Sequence, residues 1–319
     1  MHHSIQNAVE KARLRLQEDV RQTPLEKSEF LSARTGVDVF LKLENIQHTG
    51  SFKFRGALNK LLTLDKEKNK NGVITASSGN HGLAVARAGQ KLQIPVIVYV
   101  AKIASPAKIE RIRMLGAEVR FAGENGIVAE ETARKESETQ KIPYISPYND
   151  ATVIAGQGTI GAELIEQNPQ LDAVFASVGG GGLLSGIGGY LKSTSPEIQI
   201  FGCQPENSQV MYASTQAGKV VNIPELPTLS DGTAGGLEKD SITLPFCQKF
   251  IDEFILTSED EIARAMRLIL EHDNFIIEGA AGVAVAGFLK KAPELRGKSI
   301  AIVICGRNIG IENIQKISS

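Results

Sequence analysis

Residues 173–184 read Ala173-Val174-Phe175-Ala176-Ser177-Val178-Gly179-Gly180-Gly181-Gly182-Leu183-Leu184. The run at 173–178 is apolar or small throughout and has the length of a buried strand. A helical stretch is expected at 183–192. Between them stand four consecutive glycines, whose backbone N–H groups can turn toward one point. The helix that follows adds the positive end of its dipole. Together these make an anion cradle, best suited to phosphate. A tight turn with close backbone packing explains one glycine better than it explains four in succession.

The same alternation extends outward in both directions. Strands are expected at 39–43, 73–76, 95–100, 118–121, 198–203 and 300–304. Helices are expected at 52–64, 80–92, 106–115, 127–140, 153–166, 208–217, 259–271, 277–290 and 311–317. Ser51 is expected to cap the first of these, and Ser105 another that has Pro106 at its first position. Ser258 with Glu261 forms a capping box. Residues 220–244, rich in Pro, Gly, Ser, Thr and Asp, read as a long loop. Continuous apolar strands alternating with helices imply an α/β fold of two open, mostly parallel twisted sheets flanked by helices. A four-strand block at 72–147 reads as a small domain inserted into a large one made of 1–71 and 148–319.

The 319 residues carry 35 Lys and Arg against 36 Asp and Glu, a net charge of −1. This argues against a nucleic-acid partner held by a basic field. The longest apolar runs are strand-length, too short for a bilayer span, so no membrane partner is expected. The N-terminus has no signal-peptide apolar segment, and His2-His3 reads as an exposed, disordered end. Cys203, Cys247 and Cys305 form no CxxC and no zinc spacing, and no metal site is expected from them. Their odd number suits a reducing compartment, so a soluble cytoplasmic protein is expected. Gly156-Gln157-Gly158-Thr159-Ile160-Gly161 matches G-x-G-x-x-G as text. However, it lacks the preceding strand and reads as one helix with small residues for close packing.

Lys53 lies in Thr49-Gly50-Ser51-Phe52-Lys53-Phe54-Arg55-Gly56-Ala57, near a helix N-terminus and between two phenylalanines. Apolar surroundings and a positive dipole end both lower a lysine pKa, and the neutral amine can form a Schiff base with an aldehyde. A surface lysine paired with an acid is the plainer reading of Lys53 alone.

Four segments occur in order: Ser51–Ala57, Ser77-Ser78-Gly79-Asn80-His81-Gly82, Ala155-Gly156-Gln157-Gly158-Thr159 and Gly179–Gly182. Together they resemble the fold-type II pyridoxal-phosphate enzymes, the tryptophan synthase beta-subunit-like fold. Within that group the chain is most similar to the serine/threonine dehydratase and serine racemase family. The resemblance runs from about Thr23 to Asn308.

The resemblance implies that Lys53 carries pyridoxal 5'-phosphate and moves the substrate α-proton. Phe52 would pack near the ring, and Asn80 would hydrogen-bond the 3′-oxygen. Ser77, Ser78, Gly79, Asn80 and His81 would hold the substrate carboxylate, and Gly179, Gly180, Gly181 and Gly182 the phosphate. Cys305 stands where the family commonly has a serine near the pyridine nitrogen, and liver-type serine dehydratases also have cysteine there. Glu278 would face the cofactor. Arg307 replaces a glycine of the usual Ser-Gly-Gly-Asn run.

The expected reaction is β-elimination of a small-molecule hydroxy amino acid, threonine or serine, to a 2-oxo acid and ammonia. Ser78 matches the serine that racemases use as a second acid, which keeps a serine racemase open. A lyase for a related hydroxy amino acid such as 3-hydroxyaspartate also stays open. A non-catalytic ligand-binding protein would need a broken site, which this is not. Gln204 and Val210 occupy the places of two racemase carboxylates, so no racemase-type metal site is expected; Glu238 could still hold a monovalent cation. Tyr148 and the segment 230–236 are candidate pocket walls. Gly56, Gly79, Gly82 and Gly306 join the four-glycine loop as expected points of close approach to a cofactor. A homodimer is implied. The end at Ser319 leaves no expected room for a regulatory domain.

Overall fold

In the computed structural model, which describes residues 2–65, 67 and 70–318, nine strands form two sheets. The strands are β1 (Leu25–Lys27), β2 (Asp38–Lys42), β3 (Val73–Ala76), β4 (Val96–Val100), β5 (Glu118–Phe121), β6 (Ala173–Ser177), β7 (Gln199–Pro205), β8 (Glu253–Thr257) and β9 (Ser299–Val303). The larger sheet has the order β1-β2-β9-β6-β7-β8 and the smaller β3-β4-β5. Every pairing is parallel except β1 with β2. Central strands such as β4 and β6 are buried at every position, as parallel strands covered on both faces must be.

The helices are α1 (His2–Leu16), α2 (Glu29–Thr35), α3 (Lys53–Leu62), α4 (Asn80–Leu92), α5 (Pro106–Arg113), α6 (Gly126–Gln140), α7 (Ala151–Gln167), α8 (Gly182–Thr194), α9 (Val210–Ala217), α10 (Thr243–Phe250), α11 (Glu259–Leu268), α12 (Gly279–Lys291) and α13 (Ile311–Ser318). α12 packs across β6, β7, β8 and β9, and α4 and α6 pack on the small sheet. A separate apolar core beneath the small sheet takes Phe54, Ala57, Leu58 and Leu61 from α3 as well as Leu83, Val85, Val98 and Ile112. Helix α3 therefore serves both sheets, since it also packs on α7.

Several local expectations need correction. Residues 72–147 hold three strands; the fourth is reduced to an isolated bridge between Ile74 and Tyr144. The N-terminal backbone is helical from His2. Helix α10 and strand β8 lie where no regular element was expected. Ser51 caps nothing: α3 starts at Lys53, and Ser51 instead bridges Gly306 with its own hydroxyl buried and unpartnered. The Ser258–Glu261 capping box is present.

The text-pattern glycines lie inside α7, as the packing reading requires. A Cβ on Gly156 would stand 2.7 Å from the Arg55 carbonyl oxygen and the Gly56 Cα. A Cβ on Gly186 of α8 would stand 2.6 Å from the Gly158 nitrogen. Helices α3, α7 and α8 thus meet backbone to backbone. Gly56 packs helix on helix, against Gln157 and Val153 of α7.

Where α3 and α7 cross, four charged side chains are buried together. Arg55 donates from Nε and Nη2 to Glu44 at 2.8 Å each, and from Nη1 to Glu163 at 2.5 Å. Lys42 Nζ donates to the other Glu163 oxygen at 2.6 Å, and Thr23 Oγ1 to Glu44 at 2.6 Å. The Lys42, Arg55 and Glu44 side chains are 0% exposed and Glu163 is 9% exposed. Burial pushes the Glu44 carboxyl up, but Arg55 pulls it further down, so it stays charged. Replacing Arg55 with Met leaves two carboxylates facing one lysine, and breaking such a buried pair typically costs about 3–5 kcal/mol. Urea unfolding of Arg55→Met should show a loss of that size; a loss within about 1 kcal/mol, the level of a surface pair, would contradict it.

Candidate active site

The carboxyl ends of three parallel strands meet at one cleft, the usual place for a ligand in an open α/β sheet. β3 leads to Ser77–Asn80, β6 to the four-glycine loop, and β9 to Cys305. The cleft is lined by Phe52, Lys53, Asn80, Tyr148, Gly179–Gly182, Glu278 and Cys305, with Ser177, Leu183, Gly232, Thr233 and Ala280 completing it. The cleft together with the open solvent at its mouth spans about 450 Å³. A larger hollow on the outer surface, lined by Arg34, Arg264, Arg296 and others, contains none of these residues.

Lys53 opens α3. Its Nζ donates to the Pro147 carbonyl at 3.0 Å and lies 5.2 Å from the centre of the Phe52 ring. Burial lowers its pKa to about 8, against smaller upward pulls from Cys305 and Glu278. The glycine loop ends in Gly181, at φ +80°, as the N-cap of α8. A Cβ on Gly180 would run into the Tyr148 ring, and one on Gly181 would stand 2.7 Å from Cys247 Sγ. The loop must stay free of side chains to stay in place, and its amides open the helix end that attracts anions.

Glu278 precedes α12 and is 3% exposed. Asn80 Nδ2 donates to both of its oxygens, at 2.8 and 3.0 Å, and the Asn308 backbone N–H donates at 3.0 Å. Burial raises its pKa against these bonds. Cys305 Sγ lies 3.8 Å from Glu278 Oε1 and 3.7 Å from Ser177 Oγ. Burial and then Glu278 push the thiol well above its ordinary value, so it stays protonated. Gly306 leaves room for Glu278: a Cβ there would stand 2.5 Å from the Glu278 carboxyl carbon.

Ser77 Oγ accepts from the Gly79 N–H at 3.1 Å. Ser78 is half-buried and its hydroxyl makes no hydrogen bond among the described residues. Of the loop 77–81, Asn80 alone lines the cleft. His81 turns away from it, with Nε2 2.9 Å from the Ile145 carbonyl. A carbonyl only accepts, so Nε2 carries the proton and Nδ1 is left buried without a partner. Burial, then the Lys53 charge, lowers His81 to about 3, so it is neutral.

Asn308 was overlooked by sequence reasoning, although it ends the motif around Cys305. Its Nδ2 donates to Asn80 Oδ1 at 2.6 Å and to the Thr49 carbonyl at 2.9 Å. Tyr148 Oη accepts from the Glu238 N–H at 2.8 Å. The Glu238 carboxylate itself is taken by Arg134, Ser146 and Asn149. Gln204 spans the Val178 carbonyl and the Tyr212 N–H.

The donor set fits a phosphorylated aldehyde with an aromatic nitrogen. It offers an amine of lowered pKa, a side-chain-free loop at a helix N-terminus, and a protonated thiol facing the same space.

A family model described as pyridoxal-phosphate dependent enzyme matches residues 16–306. An L-threonine ammonia-lyase of Thermotoga maritima is 41% identical over 309 residues, covering 97% of this chain and 77% of that protein. An L-threo-3-hydroxyaspartate ammonia-lyase of a Pseudomonas species is 34% identical, covering 95% and 94%. The solved structure of the processed form of threonine deaminase isoform 2 from Solanum lycopersicum superposes with a TM-score of 0.94 at 32% identity, covering 99% of this chain and 93% of that one.

The lowered Lys53 pKa is open to direct measurement. In cofactor-free protein, acylation of Lys53 by an amine-selective reagent, followed by peptide mass mapping, should rise with pH with a midpoint near 8. The neutral amine is the reactive form, so labelling is suppressed below that pH. A midpoint near 10.5 would contradict the buried placement.

Proposed function

The chain belongs to the pyridoxal-phosphate-dependent enzyme family, and on that premise we propose that it is an ammonia-lyase of β-hydroxy α-amino acids, with L-threonine and L-serine as the parent substrates. The observation that carries this reading is the convergence of the Lys53 amine, the glycine loop and the Cys305 thiol on one cleft. When bound, the cofactor supplies an electron sink for the substrate α-carbon. The protein supplies the rest.

Lys53 would hold the cofactor's aldehyde, and a pKa near 8 lets its amine take up and release protons close to neutral pH, as moving the substrate α-proton requires. Gly179–Gly182 would take the cofactor's phosphate on backbone N–H groups at the start of α8. Asn80, whose amide Glu278 and Asn308 fix, would hydrogen-bond the ring oxygen. Phe52 would pack near the ring. Cys305 would offer the ring nitrogen a weak neutral donor. The Ser77–Gly79 turn at the start of α4 stands behind Asn80 at the edge of the cleft and would receive the substrate carboxylate. His81 supports that turn through Ile145, and its neutral ring adds no charge.

Ser78 favours a second reading. Its hydroxyl is uncommitted on the loop that receives the substrate, so it could return a proton to the opposite face and racemise serine. We further propose a small domain at 72–147 inserted in a large one at 1–71 and 148–319, with the cleft between them. The free cysteines, all buried, suit a cytoplasmic setting, and a homodimer is the proposed assembly.

Ammonium and 2-oxo acid release from L-threonine and L-serine tests the reading. Lys53→Ala should abolish the borohydride-sensitive visible absorption of the bound cofactor and lower turnover at least about 10²–10⁴-fold, the usual share of a proton-transfer group. A colourless wild-type protein, inert to borohydride, would sink the assignment. Chiral chromatography after incubation with L-serine weighs the second reading: D-serine that disappears in Ser78→Ala supports racemisation.

A further inference from the structure

Two exposed arginines that the chemistry above leaves unused stand just outside the cleft lining and connect to it through Asn308. Arg111 on α5 donates from Nη2 to Asn308 Oδ1 at 2.9 Å. Asn308 is bonded in turn to Asn80, which lines the cleft. Arg307 directly precedes Asn308 and lies two residues after Cys305. From the position a Cβ of Gly50 would take, Asn308 Oδ1 is 3.0 Å away and Arg307 Nε 3.3 Å. Both guanidinium groups therefore flank the same asparagine.

Neither arginine has a carboxylate partner among the described residues. Two acids at the cleft are committed. Asp231, on the rim beside Gly232, is paired with Lys108 at 2.8 Å. Glu278 lies buried below, held by Asn80 and Asn308. The charge of Arg307, after burial, depresses the pKa of Arg111, as expected of like charges placed close together. Two cations side by side without a counterion are unfavourable unless an anion joins them, and a guanidinium fork matches a carboxylate in shape and charge.

We infer that Arg111 and Arg307 bind the side-chain carboxylate of a dicarboxylic β-hydroxy amino acid, so that 3-hydroxyaspartate is a better substrate than serine or threonine. The inference rests on the lyase reading and narrows it. The reaction balances without an oxidant. The Cα–H and Cβ–O bonds break and water leaves. The released enamine tautomerises, takes up one water and expels ammonium, which leaves a 2-oxo dicarboxylate.

The test compares kcat/KM of the holoenzyme for L-serine, L-threonine and L-threo-3-hydroxyaspartate in wild type, Arg307→Gly, Arg307→Lys and Arg111→Lys. The readout is the ratio of hydroxyaspartate to serine. It should exceed one in wild type and fall about tenfold or more in Arg307→Gly, the effect of losing a hydrogen bond between charged groups. The loss should sit mainly in KM, with partial recovery in Arg307→Lys. Inorganic phosphate should compete with hydroxyaspartate more strongly than with serine. A ratio unchanged by either arginine, or serine turnover with none on hydroxyaspartate, overturns the inference and leaves the lyase reading standing. No turnover of any of the three overturns both. Phosphate stimulation of serine turnover that requires Arg307, with the ratio unaffected, would make this a free-anion site and also overturn it.

Discussion

The site depends on one buried electrostatic arrangement, the quartet of Lys42, Glu44, Arg55 and Glu163. Each member comes from a different place: the end of β2, the turn after it, α3 and α7. Removing four charges from water is costly, and it is tolerated only because nearly every lone pair and N–H is met. Arg55 sits two residues after Lys53, so its bonds fix the turn that presents the amine. The two cations meet opposite electrostatic fates. Arg55 takes two carboxylates and is held charged. Lys53 is left with a backbone carbonyl and an aromatic ring, and its charge is correspondingly expensive.

Close helix packing extends that constraint to the other end of the cleft. Glycines in α3, α7 and α8 bring three helices together without intervening side chains, and α8 is the helix whose first turn closes the glycine loop. A shift of α3 would therefore be felt at the loop through α7. Rigid cores transmit small displacements because they have few voids to absorb them.

Much of this was legible in the chain. The alternating apolar strands and the glycine loop after 173–178 were readable because both are local patterns. The reading of Gly156–Gly161 as packing also came from local context. Non-local features were not readable. Glu44 and Glu163 look like ordinary surface acids until α3 and α7 are placed, and nothing in the neighbourhood of Asn308 announces that it orders Asn80. Ser51 was misread because a serine before a helix usually caps it, whereas here strand-like pairing with Gly306 took its backbone. The element pair α10 and β8 was missed because its apolar residues follow a long polar loop without a clear period. His81 belongs to the right segment, but only the fold shows that its ring turns away.

The bridge between Ser51 and Gly306 has a further consequence. Phe52 N–H donates to the Cys305 carbonyl at 3.1 Å, and Arg307 N–H to the Gly50 carbonyl at 2.9 Å. The segments that bring Lys53 and Cys305 to the cleft are thus tied to each other by backbone hydrogen bonds. Reach and alignment are set by peptide groups, which are the same for every amino acid. The side chain at position 305 is then replaceable: its acidity can be changed while the backbone scaffold that sets its place opposite Lys53 stays as it is.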